Sequence, residues 1–350
     1  MHPFGSMETF QFHPVLEAWF RESFGKPTDI QEQAWRRIAA GENVLLAAPT
    51  GSGKTLAALM PCLNRIALEK SAMREQAFRE PAPDRCSPAE SSPEAVGNTL
   101  TGGNSPPSGK TFLCGSAQRG VRLLYVTPLK ALNNDIRDHL LGFLEELDRF
   151  GSSWPAIRVG VRTGDTPQST RASMLRNPPD VLITTPESLY LLLTSAKARQ
   201  MLASVEQVIV DEIHDLAQDK RGMHLSLTLE RLAHFCGRPI QRIGLSATMK
   251  PLERVARFLG GWESAGGRPR SVAIVESRMS KRFDVRVTMP ETRLAASRDA
   301  GVWAALVDAV HQNLEGCRNT LIFVNNRRLC ERLTVQLNDH AGYEIARAHH

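Results

Sequence analysis

Residues 43–55 read NVLLAAPTGSGKT, and this stretch decides the fold. An apolar run, 43-NVLLA, has the length and near-continuous apolar character of a strand inside a parallel sheet. It passes into 48-APTGSGKT and then into a helical pattern from residue 55 onward. The loop is a variant of G-x-x-x-x-G-K-[ST] with Ala48 at the first position, followed by Pro49, Thr50, Gly51, Ser52 and Gly53. Glycines at 51 and 53 let successive backbone N–H groups curl around phosphate oxygens, and the following helix N-terminus adds positive potential. Lys54 would reach the terminal phosphates, and the Thr55 hydroxyl would ligate Mg²⁺.

Working outward, short aliphatic runs alternate with helix-period segments. The runs are 121-VRLLYVT, 156-AIRVGV, 181-VLITT, 207-QVIVD, 242-RIGLS, 272-VAIVE, 283-FDVRVTM and 320-TLIFV. Between them lie patterns such as 129-LKALNNDIRDHLLGFLEEL and 223-MHLSLTLERLAHF. This alternation predicts an α/β fold, a parallel sheet with helices on both faces. At 350 residues the chain has room for two domains. We expect the first over 1–265 and the start of a second over 271–350, joined through the Gly-rich 260-GGWESAGGRPR. Residues 80–110 hold six Pro, four Gly and five Ser, too little apolar surface to offset the ordering entropy. A disordered insertion over about 75–118 is therefore expected.

Composition narrows the function classes. With 43 Lys+Arg against 37 Asp+Glu the chain carries a net +6, which permits a nucleic-acid partner without requiring one. No apolar stretch approaches the roughly 20 residues that span a bilayer. The N-terminus lacks the pattern of a signal peptide. Six cysteines without a C-x-x-C pair argue against a disulfide framework or a zinc site and fit a reducing cytoplasmic setting.

A second acidic site belongs at the end of a neighbouring parallel strand, and 207-QVIVDEIH supplies it. Asp211 would hold Mg²⁺, directly or through water, and Glu212 would orient and deprotonate an attacking water. A D-E pair alone is commonly a solvated strand end. After a buried strand, beyond a phosphate loop, it points to a nucleoside triphosphatase using ATP and Mg²⁺.

Further blocks give the kind. APTGSGKT, DEIH at 211–214 and SAT at 246–248 together resemble the superfamily 2 helicases, which carry two RecA-like domains. The segment 24-FGKPTDIQ resembles the one whose glutamine, here Gln31, reads the adenine edge. The blocks 127-TPLKAL, 164-GDT and 185-TPE resemble motifs Ia, Ib and Ic, and 321-LIFVNNRR resembles motif IV. The segments 13-HPVLEAWFRESFGKPTDIQ, 211-DEIHDLAQDKRGMHLSLTLERL and 320-TLIFVNNRRLCERL are similar to the large helicase-related, Lhr-type, DNA helicases. The resemblance covers roughly residues 10–70 and 120–350.

It implies a RecA-like nucleotide-binding domain followed by an incomplete second one, and ATP-dependent 3′-to-5′ translocation on single-stranded or partly duplex DNA. The nucleic-acid loops would hold Thr127, Pro128 and Lys130, then Arg162, Thr163, Gly164, Asp165 and Thr166, then Thr185, Pro186 and Glu187. Their threonine hydroxyls and backbone amides suit phosphates rather than bases. Lys130 and Arg162 read equally well as solvated surface cations. Ser246 and Thr248, with His214, would couple nucleotide state to domain closure. Trp19 and Trp35 read as helix packing rather than base stacking. No segment resembles motifs V and VI, which carry the family's arginine fingers, so slow turnover is expected. A nucleotide- and nucleic-acid-binding module without turnover, a related RNA helicase and a duplex translocase stay open as alternatives.

Overall fold

The computed structural model describes residues 10–79, 120–247, 250–263, 267–277, 284–289, 298–317 and 319–349. The chain forms two compact units, Met1–Met279 and Ser280–His350.

In the first unit, seven of the apolar runs become strands: β1 (Val44–Ala47), β2 (Leu123–Val126), β3 (Val159–Arg162), β4 (Val181–Thr184), β5 (Gln207–Val210), β6 (Gln241–Ser246) and β7 (Ala273–Glu276). They form one sheet in the order β3-β4-β2-β5-β6-β1-β7, with every paired neighbour parallel. The division between units thus falls after β7, not in the Gly-rich stretch before residue 271. The run at 272 completes the first sheet by pairing with β1, as Val44↔Ala273 shows.

Side chains alternate across the sheet, as period-2 geometry requires. Leu46, Tyr125, Ile183, Ile209 and Leu245 face one core. It is filled from α1 (Pro14–Phe24), α2 (Asp29–Ala39), α3 (Lys54–Arg79) and α4 (Lys130–Phe150) by residues including Leu16, Phe20, Ile30, Met60, Leu63 and Leu147. Trp35 is fully buried there, edge-on to Phe10, Phe12 and Phe20 at 5.1–5.5 Å, and Trp19 donates Nε1–H to Glu146 Oε2. Both tryptophans are packing residues. Because α3 runs to Arg79, residues 75–79 of the expected insertion are helical, and the rest of it lies outside the described residues.

Leu45, Val126, Leu182, Val208 and Val210 face the second core. Beyond α5 (Gln168–Arg176), which has no buried residue, it is closed by α6 (Pro186–Thr194), α7 (Ile213–Leu216), α8 (Lys220–Cys236) and α9 (Leu252–Gly260). On β6 the side chain of Arg242 is only 2% exposed, yet charged. Its Nη1 donates to Glu230 Oε1 at 3.0 Å and to the carbonyls of Leu259 and Gly260. Arg270 adds two bonds to the same Glu230 carboxylate at 2.6 and 2.8 Å.

The second unit packs α10 (Arg298–Leu314) on α11 (Arg327–Ala341) through Val307, Leu333 and Leu337. Asn326 caps α11 by accepting from Leu329 N, and Asn338 holds Ile345 and Ala346 by three hydrogen bonds. The runs expected as strands at 283 and 320 are not strands among the described residues. Their residues 284–289 and 320–324 carry no ladder partner, and extended backbone becomes a strand only when paired. Leu321 and Phe323 are correspondingly exposed.

Candidate active site

The register lines up the C-terminal ends of the strands. Ala47 pairs with Ser246, Val210 with Gly244, Val126 with both Val210 and Thr184, and Arg162 with Thr184. Six loops singled out in the sequence therefore leave one rim of the sheet side by side. Their order is GDT, TPE, TPLK, DEIH, SAT and the phosphate loop, with DEIH between the other two groups.

The phosphate loop is built as its sequence requires. Gly51 and Gly53 take φ of 79° and 83°, a left-handed region that glycine enters without penalty. Ala48 N donates to Ser246 O, Ser52 N to Pro49 O, and Ala57 N to Gly53 O, which starts α3. Lys54 Nζ donates to the carbonyls of Ala48 and Pro49. Gln31 is buried and caps its own helix, its Oε1 accepting from Thr28 N at 2.9 Å. A Cβ at Gly53 would lie 2.8 Å from Gln31 Nε2, so Gln31 and the loop are pressed together. Buried Ser52 Oγ has no hydrogen-bond partner among the described residues. An orphaned hydroxyl inside a cradle of N–H groups fits a polyphosphate.

A residue outside the sequence expectations organises the acidic end. Tyr125 on β2 is fully buried, and its hydroxyl donates to Asp211 Oδ2 at 2.7 Å. Burial first, then the Asp211 charge, push the Tyr125 phenol well above its usual range, so it stays a donor. Thr55, which follows the phosphate loop in α3, is close enough to the same phenol to oppose that shift weakly. The Tyr125 hydroxyl thus orients Asp211, one of the two oxygen ligands expected for a hard cation.

Asp211 N donates to Val126 O, and Asp211 Oδ1 accepts from Glu212 N at 2.9 Å. Glu212 has left-handed φ and ψ of 44° and 41°. Burial, then the adjacent Asp211, raise its carboxyl above the ordinary glutamate range. His214 Nδ1 accepts from Ala247 N at 3.3 Å and stands 3.3 Å from Glu212 Oε2, while Nε2 faces Asp215 Oδ1 at 3.6 Å. The histidine therefore bridges the DEIH and SAT loops directly. Ser246 is buried, with Oγ donating to Ala247 O; Thr248 lies outside the described residues.

On the other half of the rim, the four threonine hydroxyls turn inward and build the loops. Thr127 Oγ1 donates to Leu129 O, and Thr163 Oγ1 accepts from Asp165 N. Thr166 Oγ1 joins Thr163 N and Val161 O, and Thr185 Oγ1 caps α6. Gly164, Asp165, Leu129 and Glu187 are the exposed residues of these loops, while Pro128 and Pro186 are buried. Arg162 donates back to Thr163 O. Lys130 opens α4, and its side chain lies outside the described residues. Two arginines that the sequence did not single out brace the loops. Arg171 donates to Thr166 O and Gly164 O, each at 2.7 Å, and Arg221 reaches Glu187 and Pro128 O.

The sequence model described as DEAD/DEAH box helicase matches residues 28–255, from the start of α2 into α9. The chain belongs to the DEAD/DEAH box helicase family. As a DEAD/DEAH box helicase it is 40% identical over 333 residues to the Lhr helicase/probable uracil glycosylase of Mycolicibacterium smegmatis, covering 94% of this chain and 19% of that protein. It is 38% identical over 328 residues to the ATP-dependent helicase Lhr-Core of Methanothermobacter thermautotrophicus, covering 93% and 33%. The chain thus spans between a fifth and a third of these relatives. Its fold matches the solved structure of Mycobacterium smegmatis helicase Lhr bound to ssDNA and AMP-PNP with a TM-score of 0.70 at 38% identity, over 96% of this chain and 37% of that one. The helicase MrfA shares the fold at a TM-score of 0.66 and 18% identity. Among the described residues of this DEAD/DEAH box helicase, no helix is long and apolar enough to cross a membrane.

Proposed function

We propose that the first unit binds and hydrolyses ATP with Mg²⁺ and works as the motor of an ATP-dependent DNA helicase moving 3′-to-5′. The observation that carries this reading is the Tyr125 hydroxyl, which orients Asp211 beside Glu212 on the rim that also holds the phosphate loop and Thr55.

ATP enters with its phosphates on the 48–54 backbone amides, and Lys54 exchanges the loop carbonyls for the terminal phosphate oxygens. Gln31, against Gly53, meets the adenine edge. Thr55 and Asp211 would hold Mg²⁺, which would supply charge neutralisation to the phosphates. Glu212 accepts the proton of the attacking water, and its raised basicity suits a base working near neutrality. His214 and Ser246, with Thr248, carry the change of nucleotide state across the rim through the Ala247 amide. The GDT, TPE and TPLK loops hold a strand by its phosphate backbone, contacts that carry no base preference and suit a motor.

Support for DNA comes from the similarity to Lhr proteins, one of which was solved with ssDNA.

Binding of a fluorescent ATP analogue and single-turnover hydrolysis test the reading, with and without ssDNA and RNA of matched sequence. Wild type binds the analogue and hydrolyses faster with ssDNA, and Lys54→Ala binds none. Glu212→Gln binds but hydrolyses about 10²–10⁴-fold more slowly, the usual worth of a general base. Wild-type rates in Glu212→Gln would overturn the base assignment, and stimulation by RNA alone would overturn the DNA assignment.

A further inference from the structure

Three chain segments converge on one guanidinium. Arg221, the second residue of α8, donates Nε–H to Glu187 Oε1 at 2.7 Å and Nη2–H to Pro128 O at 2.8 Å. Glu187 lies in the TPE block at the start of α6, and Pro128 in the TPLK loop. An exposed ion pair is worth little by itself. Here the second arm of the fork ends on the carbonyl of a buried proline, so the side chain fixes one loop against the other.

The position of Arg221 is itself set by the acidic site. Asp219 Oδ1 caps α8 by accepting from Lys220 N. Gly222 then presses against the end of α7 so closely that a Cβ there would fall 1.8 Å from Leu216 O. α7 begins one residue after Glu212. About ten residues thus separate Glu212 from the fork, and they are braced where Gly222 meets the end of α7.

We propose that Arg221 is a positioning residue that holds the TPLK and TPE loops in the spacing a nucleic-acid strand requires, and links that spacing to the DEIH segment. The proposal rests on the reading of these loops as nucleic-acid contacts. Arg221 acts through Pro128 and Glu187 and does not itself grip a phosphate.

The test is the affinity of the full chain for a fluorescent single-stranded oligodeoxynucleotide, measured across salt concentrations for wild type, Arg221→Gln, Arg221→Lys and Glu187→Gln. We expect Arg221→Gln to weaken binding about tenfold, as loss of a charge-assisted hydrogen bond does. The slope of log K against log salt should stay unchanged. Arg221→Lys should not rescue, because a point charge cannot span both acceptors. Glu187→Gln should weaken binding although it removes a negative charge. Thermal melting of each variant separates a loosened loop from a failed fold.

Rescue by Arg221→Lys, with a slope shallower by about 0.7 in Arg221→Gln, would mean a direct phosphate contact and overturn the proposal. Tighter binding by Glu187→Gln would overturn it as well, since the carboxylate would then be only a repulsive charge. If wild type binds the oligonucleotide and Arg221→Gln binds equally well, the proposal alone falls. If wild type binds none, the reading of the loops falls and takes the proposal with it.

Discussion

The Tyr125 hydroxyl stands 2.7 Å from Asp211 Oδ2, donating from the middle of a buried strand to a carboxylate at the end of the next one. Removing it leaves that half-buried oxygen one donor short, a loss of about 1 kcal/mol in how firmly the carboxylate is held. Tyr125→Phe should therefore raise the Mg²⁺ concentration that half-saturates nucleotide binding by about tenfold, with the fold intact. A Mg²⁺ titration of fluorescent ATP binding reads this. An unchanged midpoint would mean that Asp211 is oriented without the phenol.

Glu212 carries a pH signature of its own. Its carboxyl is raised by burial and then by Asp211, so the folded state binds this proton more tightly than the unfolded chain does. The stability it contributes is complete below the ordinary glutamate range and is lost as pH rises through the raised value. Glu212→Gln removes that loss. The variant should melt above wild type at about pH 8, with the gap closing as pH falls towards the ordinary glutamate value of about 4.3. Melting curves across this range check it, and a gap independent of pH would contradict the sign.

Gly222 leaves no space for a side chain. With Leu216 O 1.8 Å from the site of a Cβ, Gly222→Ala must push α8 away from α7. Overpacking of this kind costs about 3 kcal/mol, a melting loss of roughly 5–10 °C for a unit of this size. Calorimetry decides the matter. A shift below about 1 °C would show that the two helices slide without resistance.

The Glu230 carboxylate compensates two guanidiniums, one of them almost wholly buried. Glu230→Ala strands the Arg242 charge and should cost about 3–5 kcal/mol. Combining it with Arg242→Met should recover most of the loss, because a well-packed apolar side chain replaces a buried pair at little cost. Urea denaturation of the two single variants and the double variant measures the coupling. Strict additivity would mean that the pair does not interact.

The sheet was legible because parallel strands buried on both faces read as continuous apolar runs, from 43-NVLLA to 272-VAIVE. The loops at its rim were legible because glycines, threonines and acids follow those runs abruptly. The runs at 283 and 320 carry the same signal without becoming strands, since a strand is a property of two segments and the sequence displays one. Tyr125 was hidden for a related reason. Within 121-VRLLYVT it reads as one more buried side chain, and only the packing of β2 beside β5 turns its hydroxyl into a ligand of Asp211. Arg171 and Arg221 lie in polar helical stretches where a solvated cation is the ordinary expectation. Their carbonyl partners come from loops brought to them by the fold. The threonines were expected to face a ligand by residue type, whereas local geometry spends their hydroxyls on shaping the turns.

The backbone at Glu212, with φ at 44°, has a wider consequence. Side-chain-bearing residues occupy that conformation at a cost of about 1–3 kcal/mol, and glycine at almost none. With Glu212 as the base proposed above, the folding interest of the chain and its working interest point in opposite directions at this one codon. Drift governed by stability alone would replace the acid with glycine. A lineage that ceased to hydrolyse nucleotide would lose its reason to keep the glutamate long before it lost the sheet.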